Sequence, residues 1–268
     1  ISTGPVLYGT SVGQLVDVAL SPVGVGNDNH DGSDGSNFGL SIELNLVNPT
    51  QVADSVADFS GVQGQNNWHY GYYDRSADLA GAGDGLYQAS EFTPFPGGAG
   101  QGPWSDTNHW NGSTWDFNPP GAGTGNPPWT ILSATSAHPN DNNPVPEHWA
   151  VRRWVSELNG VVELEGLFNN TSSGGDGTLG QIYLNGALLY EAATDGSTAN
   201  FNLFAVVQQG DLLDFVVTPN APDNDGNDGT AFNVTISAGQ IVVPEPATLG
   251  LGIVGLAALG LRRRVRRA

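Results

Sequence analysis

From Trp129 onward the chain is divided into short apolar runs by Gly, Asn and Asp, and this spacing restricts it to antiparallel β architecture. The runs fall at 129–133, 149–155, 161–168, 180–190, 201–207, 212–217 and 232–236. They recur roughly every ten residues, as strands do in sandwiches and jelly rolls. No segment carries the apolar repeat of a long amphipathic helix. The expected fold is therefore all-β: an antiparallel β-sandwich or jelly roll with long Gly/Asn/Asp-rich loops, plus one short hydrophobic helix at the C-terminus. Asn185-Gly186, between apolar tetrads at 181–184 and 187–190, suits a two-residue hairpin turn because both central positions need positive φ. Gln209-Gly210-Asp211 marks a second hairpin between 204–207 and 212–215.

Upstream, Leu40, Ile42, Leu44 and Leu46 alternate with Ser41, Glu43 and Asn45, the period of a strand with one buried face. Asn48-Pro49 reads as a break after it. The expected organisation is a truncated β segment over 1–49, a sandwich domain over 50–243 and a separate tail over 244–268. Between 58 and 129 the sequence is rich in Trp, Tyr, Gly and Asn, and few regular strands can be placed there.

Charge narrows the function classes. Of eight basic residues, five (Arg262, Arg263, Arg264, Arg266, Arg267) lie in the last seven positions. Ahead of Pro244 stand 26 acidic residues against only Arg75, Arg152 and Arg153, a formal charge of −23 with no lysine. Such a body repels phosphate backbones, so nucleic acid is not expected as a partner, whereas a divalent cation would relieve the self-repulsion. Cysteine is absent, which removes disulfides, thiolate metal sites and a cysteine nucleophile. Methionine is absent as well, even at position 1, as expected of a fragment or of a chain whose initiator and signal peptide have been removed.

Three kinds of site suggest themselves. The first is calcium: Asp223, Asp225, Asn227 and Asp228 cluster with Gly226 and Gly229, and Asn27, Asn29 and Asp31 place oxygen ligands at alternate positions before Gly32. The bland reading is two solvated turns, since Asn, Asp and Gly are what turns demand. The second is a sugar platform: Trp68, Tyr70 and Tyr72 share one strand face, and Trp104, Trp110 and Trp115 lie in loop-like sequence. Against it, large aromatics serve equally as core and as plugs for long loops. The third is catalysis. Glu163 and Glu165 are two apart on a strand, about 7 Å between Cα atoms, a spacing compatible with paired-carboxylate glycoside hydrolysis. His138, Glu147 and His148 form a loose set of metal ligands without a zinc-site spacing. Carboxylate pairs are common on solvated strand faces, and no serine elbow or phosphate loop is present. Binding, rather than an enzyme activity, is the expectation.

The end of the chain has its own character. An uncharged run at 247–261 is followed directly by Arg262, Arg263 and Arg264. Fifteen helical residues rise about 22 Å, short of a ~30 Å hydrocarbon core, but the terminal position and basic stop read as a membrane anchor with cytoplasmic arginines. Just before it, Pro244, Glu245 and Pro246 hold the backbone extended, because two prolines forbid regular helix.

Val243-Pro244-Glu245-Pro246-Ala247-Thr248, the apolar run and the arginine cluster together resemble the PEP-CTERM sorting signal of Gram-negative bacteria. That resemblance implies recognition of Pro244, Glu245 and Pro246 by an exosortase, transient anchoring in the inner membrane, and release of the body to the cell surface or extracellular matrix. The body also resembles a β-sandwich domain of secreted bacterial proteins, at 59–73, His138-Pro139, 150–154, and 174–177 ahead of 182–186. The combined expectation is an exported protein of the cell envelope or biofilm matrix that binds extracellular polysaccharide. The alternatives are a calcium-stabilised structural matrix protein and a glycan-active hydrolase or lyase.

Overall fold

The computed structural model describes residues 46–118, 128–141, 146–170, 172, 174–220 and 226–241. The strands are β1 (Leu46–Asp54), β2 (Trp68–Asp74), β3 (Thr93–Pro94), β4 (Trp115–Asp116), β5 (Ile131–Leu132), β6 (Ser136–His138) and β7 (His148–Val155). They continue as β8 (Gly160–Asn170), β9 (Thr178–Leu184), β10 (Ala187–Ala193), β11 (Ser197–Val207), β12 (Leu212–Pro219) and β13 (Thr230–Ile241). The one α-helix among the described residues, α1 (Arg75–Ala80), is a single short piece. The strands form two sheets. One follows the order β11-β8-β13-β6-β5-β4, with β1 pairing β13, and the other follows β10-β9-β12-β7-β2-β3. Asn48–Gln240 forms one compact unit.

The all-β sandwich expected from the strand spacing is what the chain adopts. Asn185 and Gly186 sit at φ 52° and 84°, so the β9–β10 hairpin turns where the Asn-Gly pair indicated. The second expected hairpin is not one. β11 pairs with β8, while β12 pairs with β7 and β9, so Gln209-Gly210-Asp211 carries the chain from one sheet to the other. Turn chemistry reads the same whether the next strand pairs with its predecessor or crosses the sandwich, and here the Gly210 amide bonds to Ser156 O at 2.7 Å instead of closing a two-strand ladder. Nor does Asn48-Pro49 break the chain, since β1 runs through it.

Alternation within each strand assigns the core. On β8, Val162, Leu164 and Phe168 are buried; on β11, Phe201, Ala205 and Val207; on β13, Phe232, Val234 and Ile236. They meet Ile182, Leu213, Phe215 and Val217 of the facing sheet in one cluster. Phe168 and Phe215 each lie against Phe232, at 5.2 and 5.6 Å between ring centroids. Each such side chain contributes about 1.5–3 kcal/mol on burial, and the ring pairs add to that.

The two outer faces differ. The β7 segment His148–Trp154 is buried on both sides. Its inward residues are Ala150, Arg152 and Trp154, and its outward residues Trp149 and Val151 join Tyr73, Tyr87, Tyr183 and Val216 in a second apolar cluster. The segment around α1 and Phe92 lies over that face as a third layer. The pin is polar: Arg153 Nε and Nη2 donate to Asp214 Oδ1 and Oδ2 at 2.6 and 2.9 Å, and Tyr87 Oη donates to Asp214 Oδ2 at 2.8 Å. The outer face of β8, β11 and β13 has no such cover among the described residues.

Candidate functional site

The outward positions of β8, β11 and β13 fall into register across three neighbouring strands. Leu167 pairs with Asn200 and Asn233, Glu165 with Asn202 and Thr235, and Glu163 with Phe204 and Ser237. The first two rows line an open groove of about 690 Å³ formed by Glu165, Leu167, Asn200, Asn202, Asn233 and Thr235 over a floor that includes Gly166 and Phe201. Glu165, Asn200, Asn202 and Asn233 are exposed. Asn202 Nδ2 donates to Glu163 Oε1 at 2.8 Å, which orients that amide across the strand boundary. The floor owes its shape to Gly166. A β-carbon there would stand 2.1 Å from Asn233 O and 2.7 Å from Phe201 Cζ, so only glycine lets the Phe201 ring pack beneath the strand. The result is a row of amides and one carboxylate, with the methyl groups of Leu167 and Thr235 between them.

The aromatic platform is where structure and sequence part. Trp68, Tyr70 and Tyr72 do share a face, but it is the inner one: Trp68 and Tyr70 are both 0 % exposed. β2 lies between β7 and the short edge strand β3, and the face that the alternation selects packs into the core between the sheets. Trp68 packs on Phe215, and Tyr72 packs on Phe117 and His148. Trp115 is also fully buried, stacked near Tyr70 and Phe95, with its Nε1 donating to Ser60 O at 2.9 Å. Trp110 leans on Trp115 and Phe59, and Trp104 Nε1 donates to Asp116 O. Trp68, Tyr70 and Trp115 are therefore core and not a sugar platform, Tyr72 and Trp110 are half-buried against that core, and Trp104 is half-buried outside it.

His138, Glu147 and His148 do not converge. Glu147 accepts from Arg75 Nη1 and from Trp149 Nε1, while the His138 ring lies against Pro139 O. His148 instead links two elements: Nδ1 lies 3.1 Å from Thr130 Oγ1 and Nε2 lies 3.5 Å from Asp74 Oδ2. This has the outline of a hydroxyl–imidazole–carboxylate relay, but Thr130 is 0 % exposed and no substrate carbonyl could reach its oxygen. Its work is to tie β7 to the start of α1, where Asp74 also accepts from the Ala77 amide. Burial pushes the Asp74 carboxyl up, but the His148 contact and the backbone amides outweigh it and leave the pKa below its ordinary value.

Among the described residues no group of three or more His, Asp or Glu side chains could hold a metal ion. Of the calcium cluster at 223–228, Asn227 is exposed and its carbonyl accepts from Asn170 Nδ2, while Asp228 is fully buried. Asp223 and Asp225 lie outside the described residues, as do Asn27, Asn29 and Asp31. The same holds for Pro244, Glu245, Pro246, the apolar C-terminal run and Arg262, Arg263 and Arg264. No helix among the described residues is long and apolar enough to cross a membrane. The sequence singles out Glu165, the carboxylate of the groove, and Glu163 one row away, but not the groove's amides. Asn200, Asn202 and Asn233 alternate with buried Phe201, Phe232 and Val234, a signal that was present, yet nothing local says that β8, β11 and β13 are neighbours.

Comparison with known proteins adds the following. Residues 242–267 match the PEP-CTERM protein-sorting motif. No curated protein matches the chain. Among solved structures, a family 35 carbohydrate-binding module from Clostridium thermocellum is similar at 14% identity over 35% of this chain and 79% of that one, TM-score 0.24. CBM51 from Clostridium perfringens, solved with methyl-galactose, is similar at 11% identity over 39% of this chain and 79% of that one, TM-score 0.26. CBM35 from Cellvibrio japonicus is similar at 17% identity over 42% of this chain and 79% of that one, TM-score 0.26. The chain thus carries a PEP-CTERM protein-sorting motif directly after the last strand of an antiparallel β-sandwich.

Proposed function

We propose that this is an exported protein of the cell envelope or exopolysaccharide matrix, handed through an exosortase by its C-terminal motif, whose sandwich binds polysaccharide in the groove over β8, β11 and β13. The sorting motif supports the route. The observation that supports binding is the register of Asn200, Asn202, Asn233, Glu165 and Thr235 across three adjacent strands of one open face. Amides and carboxylates offer both donors and acceptors to sugar hydroxyls, and the methyl groups of Leu167 and Thr235 suit the C–H face of a pyranose. Nothing about the groove encloses a scissile bond, so binding fits it better than hydrolysis.

A glycan-array screen of the full chain, run with calcium and again with a chelator, tests this reading. Specific binding should fall about thirtyfold in Asn202→Ala/Asn233→Ala, the worth of two hydrogen bonds at about 1 kcal/mol each, and should persist in Leu188→Ala on the remote β10 edge. A blank array from folded protein, or binding indifferent to the double variant, would leave a structural matrix role in its place. Loss of thermal stability in the chelator would bring calcium back as a structural ion. Sugar release that stops in Glu163→Gln would turn the reading to hydrolysis.

A further inference from the structure

We infer that the groove prefers glycans carrying free amino groups, such as partly de-N-acetylated hexosamine polymers, over neutral and uronic-acid chains; this rests on the carbohydrate-binding reading of the same groove. The charged group lining it is Glu165, exposed at its centre, with Glu163 one row away and tied through Oε1 to Asn202. A carboxylate only accepts hydrogen bonds, and an ammonium group is its best donor, since a charge-assisted bond is about twice as strong as a neutral one.

Among the described residues no lysine or free arginine stands ready to receive an acidic sugar. Ahead of the tail the sequence holds three arginines and no lysine. All three are committed on or beside the other sheet: Arg75 to Glu147, Arg153 to Asp214, and Arg152, fully buried, to the carbonyls of Ser55, Ser133 and Ala134. A uronate laid in the groove would meet Glu165 with no counter-charge, in a body that is strongly anionic. The three asparagines complete the match, because each offers an N–H donor and a carbonyl acceptor to hydroxyls and to residual acetamido groups.

The experiment is equilibrium binding of three fluorescent oligosaccharides of equal length to the purified full chain in detergent micelles. The probes are a glucosamine oligomer, its fully N-acetylated counterpart and a galacturonic acid oligomer, each at low and high salt. The glucosamine oligomer should bind roughly tenfold more tightly than the acetylated one at low salt, the worth of one charge-assisted hydrogen bond, and the advantage should shrink as salt screens it. Glu165→Gln should abolish the advantage, bringing the two hexosamine oligomers to about equal affinity, and Glu165→Asp should restore part of it. Equal affinity for the two hexosamine oligomers, or preference for the uronate, would overturn the amine preference and leave the carbohydrate reading standing. An advantage that survives Glu165→Gln would also overturn it, since the diffuse charge of the body would then be the cause. If none of the three binds a folded chain, and the array is blank, both readings fall together.

Discussion

Arg152 and Arg153 are adjacent in sequence and end on opposite faces of β7, because successive side chains of a strand point opposite ways. Arg153 faces outward into the Asp214 carboxylate, stacked over Phe92 at 4.3 Å. Arg152 faces inward and is buried, with no carboxylate bonded to it among the described residues. Its guanidinium donates to the carbonyls of Ser55, Ala134 and Ser133, and lies 4.9 Å from the Phe232 ring and 5.3 Å from that of Phe59. Burial pulls its pKa down to about 10, yet it stays charged at neutral pH. A planar fork can bridge three carbonyls from two loops, and a single ammonium cannot. Arg152→Lys should therefore cost about 3 kcal/mol, read as a lower urea midpoint with an unchanged slope, by leaving buried acceptors unpaired. A cost near zero would mean that water replaces the guanidinium. "Arg-Arg" in the sequence announced neither role; only the partners across the sandwich distinguish them.

At the scale of strands, β8 is the element on which core and groove depend together. Its inward residues pack the sandwich, its outward residues line the open face, and Gly166 stands where the Phe201 ring closes on the backbone. Gly166→Ala puts a β-carbon against the Asn233 carbonyl of β13, and a backbone atom can move aside only by shifting the strand. The expected result is overpacking of roughly 1–3 kcal/mol in a thermal melt, together with a loss of glycan affinity that Val206→Ala, at the far end of β11, does not share. Unchanged affinity in a destabilised Gly166→Ala protein would place the binding surface elsewhere. From Trp129 onward the longer strands were legible as apolar runs, and so was the carboxylate pair, whereas β2, β3 and β4 fall in the stretch where few strands could be placed. The amide rows were not, because register between β8, β11 and β13 is set by long-range pairing, on which local periodicity is silent.

For the whole molecule, the aromatic and histidine packing that closes the loop end of the sandwich has a consequence for stability against pH. His109 lies among Phe95 and Phe117 with its Nδ1 buried, and burial lowers its pKa; His69 is lowered by burial first and by the charge of Arg153 second. The unfolded chain would take up protons near 6.5 that the folded one refuses, so stability is full above that value and falls as pH drops through it. In more acidic solution Asp74, held low, adds to the loss, whereas Asp116, pushed up by burial, opposes it. The histidine window is thus the readable one. Melting temperature should fall between about pH 7.5 and pH 5, by roughly 2–4 °C for each kcal/mol lost, and His109→Phe should flatten part of that slope. A pH-independent melt across that window would show that both rings accept protons without unfolding.

Chain-local information settled which residues alternate, where Asn185-Gly186 turns, how acidic the body is and what the sorting motif looks like, because each depends on neighbours within a few residues. Tertiary structure alone decided which face of each strand points inward, whether Gln209-Gly210-Asp211 turns back or crosses, and which outer face is covered. A strand has two faces of equal standing until another sheet or a loop layer is placed on one of them. Trp68 and Tyr70 went to the core for that reason, and Asn200, Asn202 and Asn233 were left on the open side.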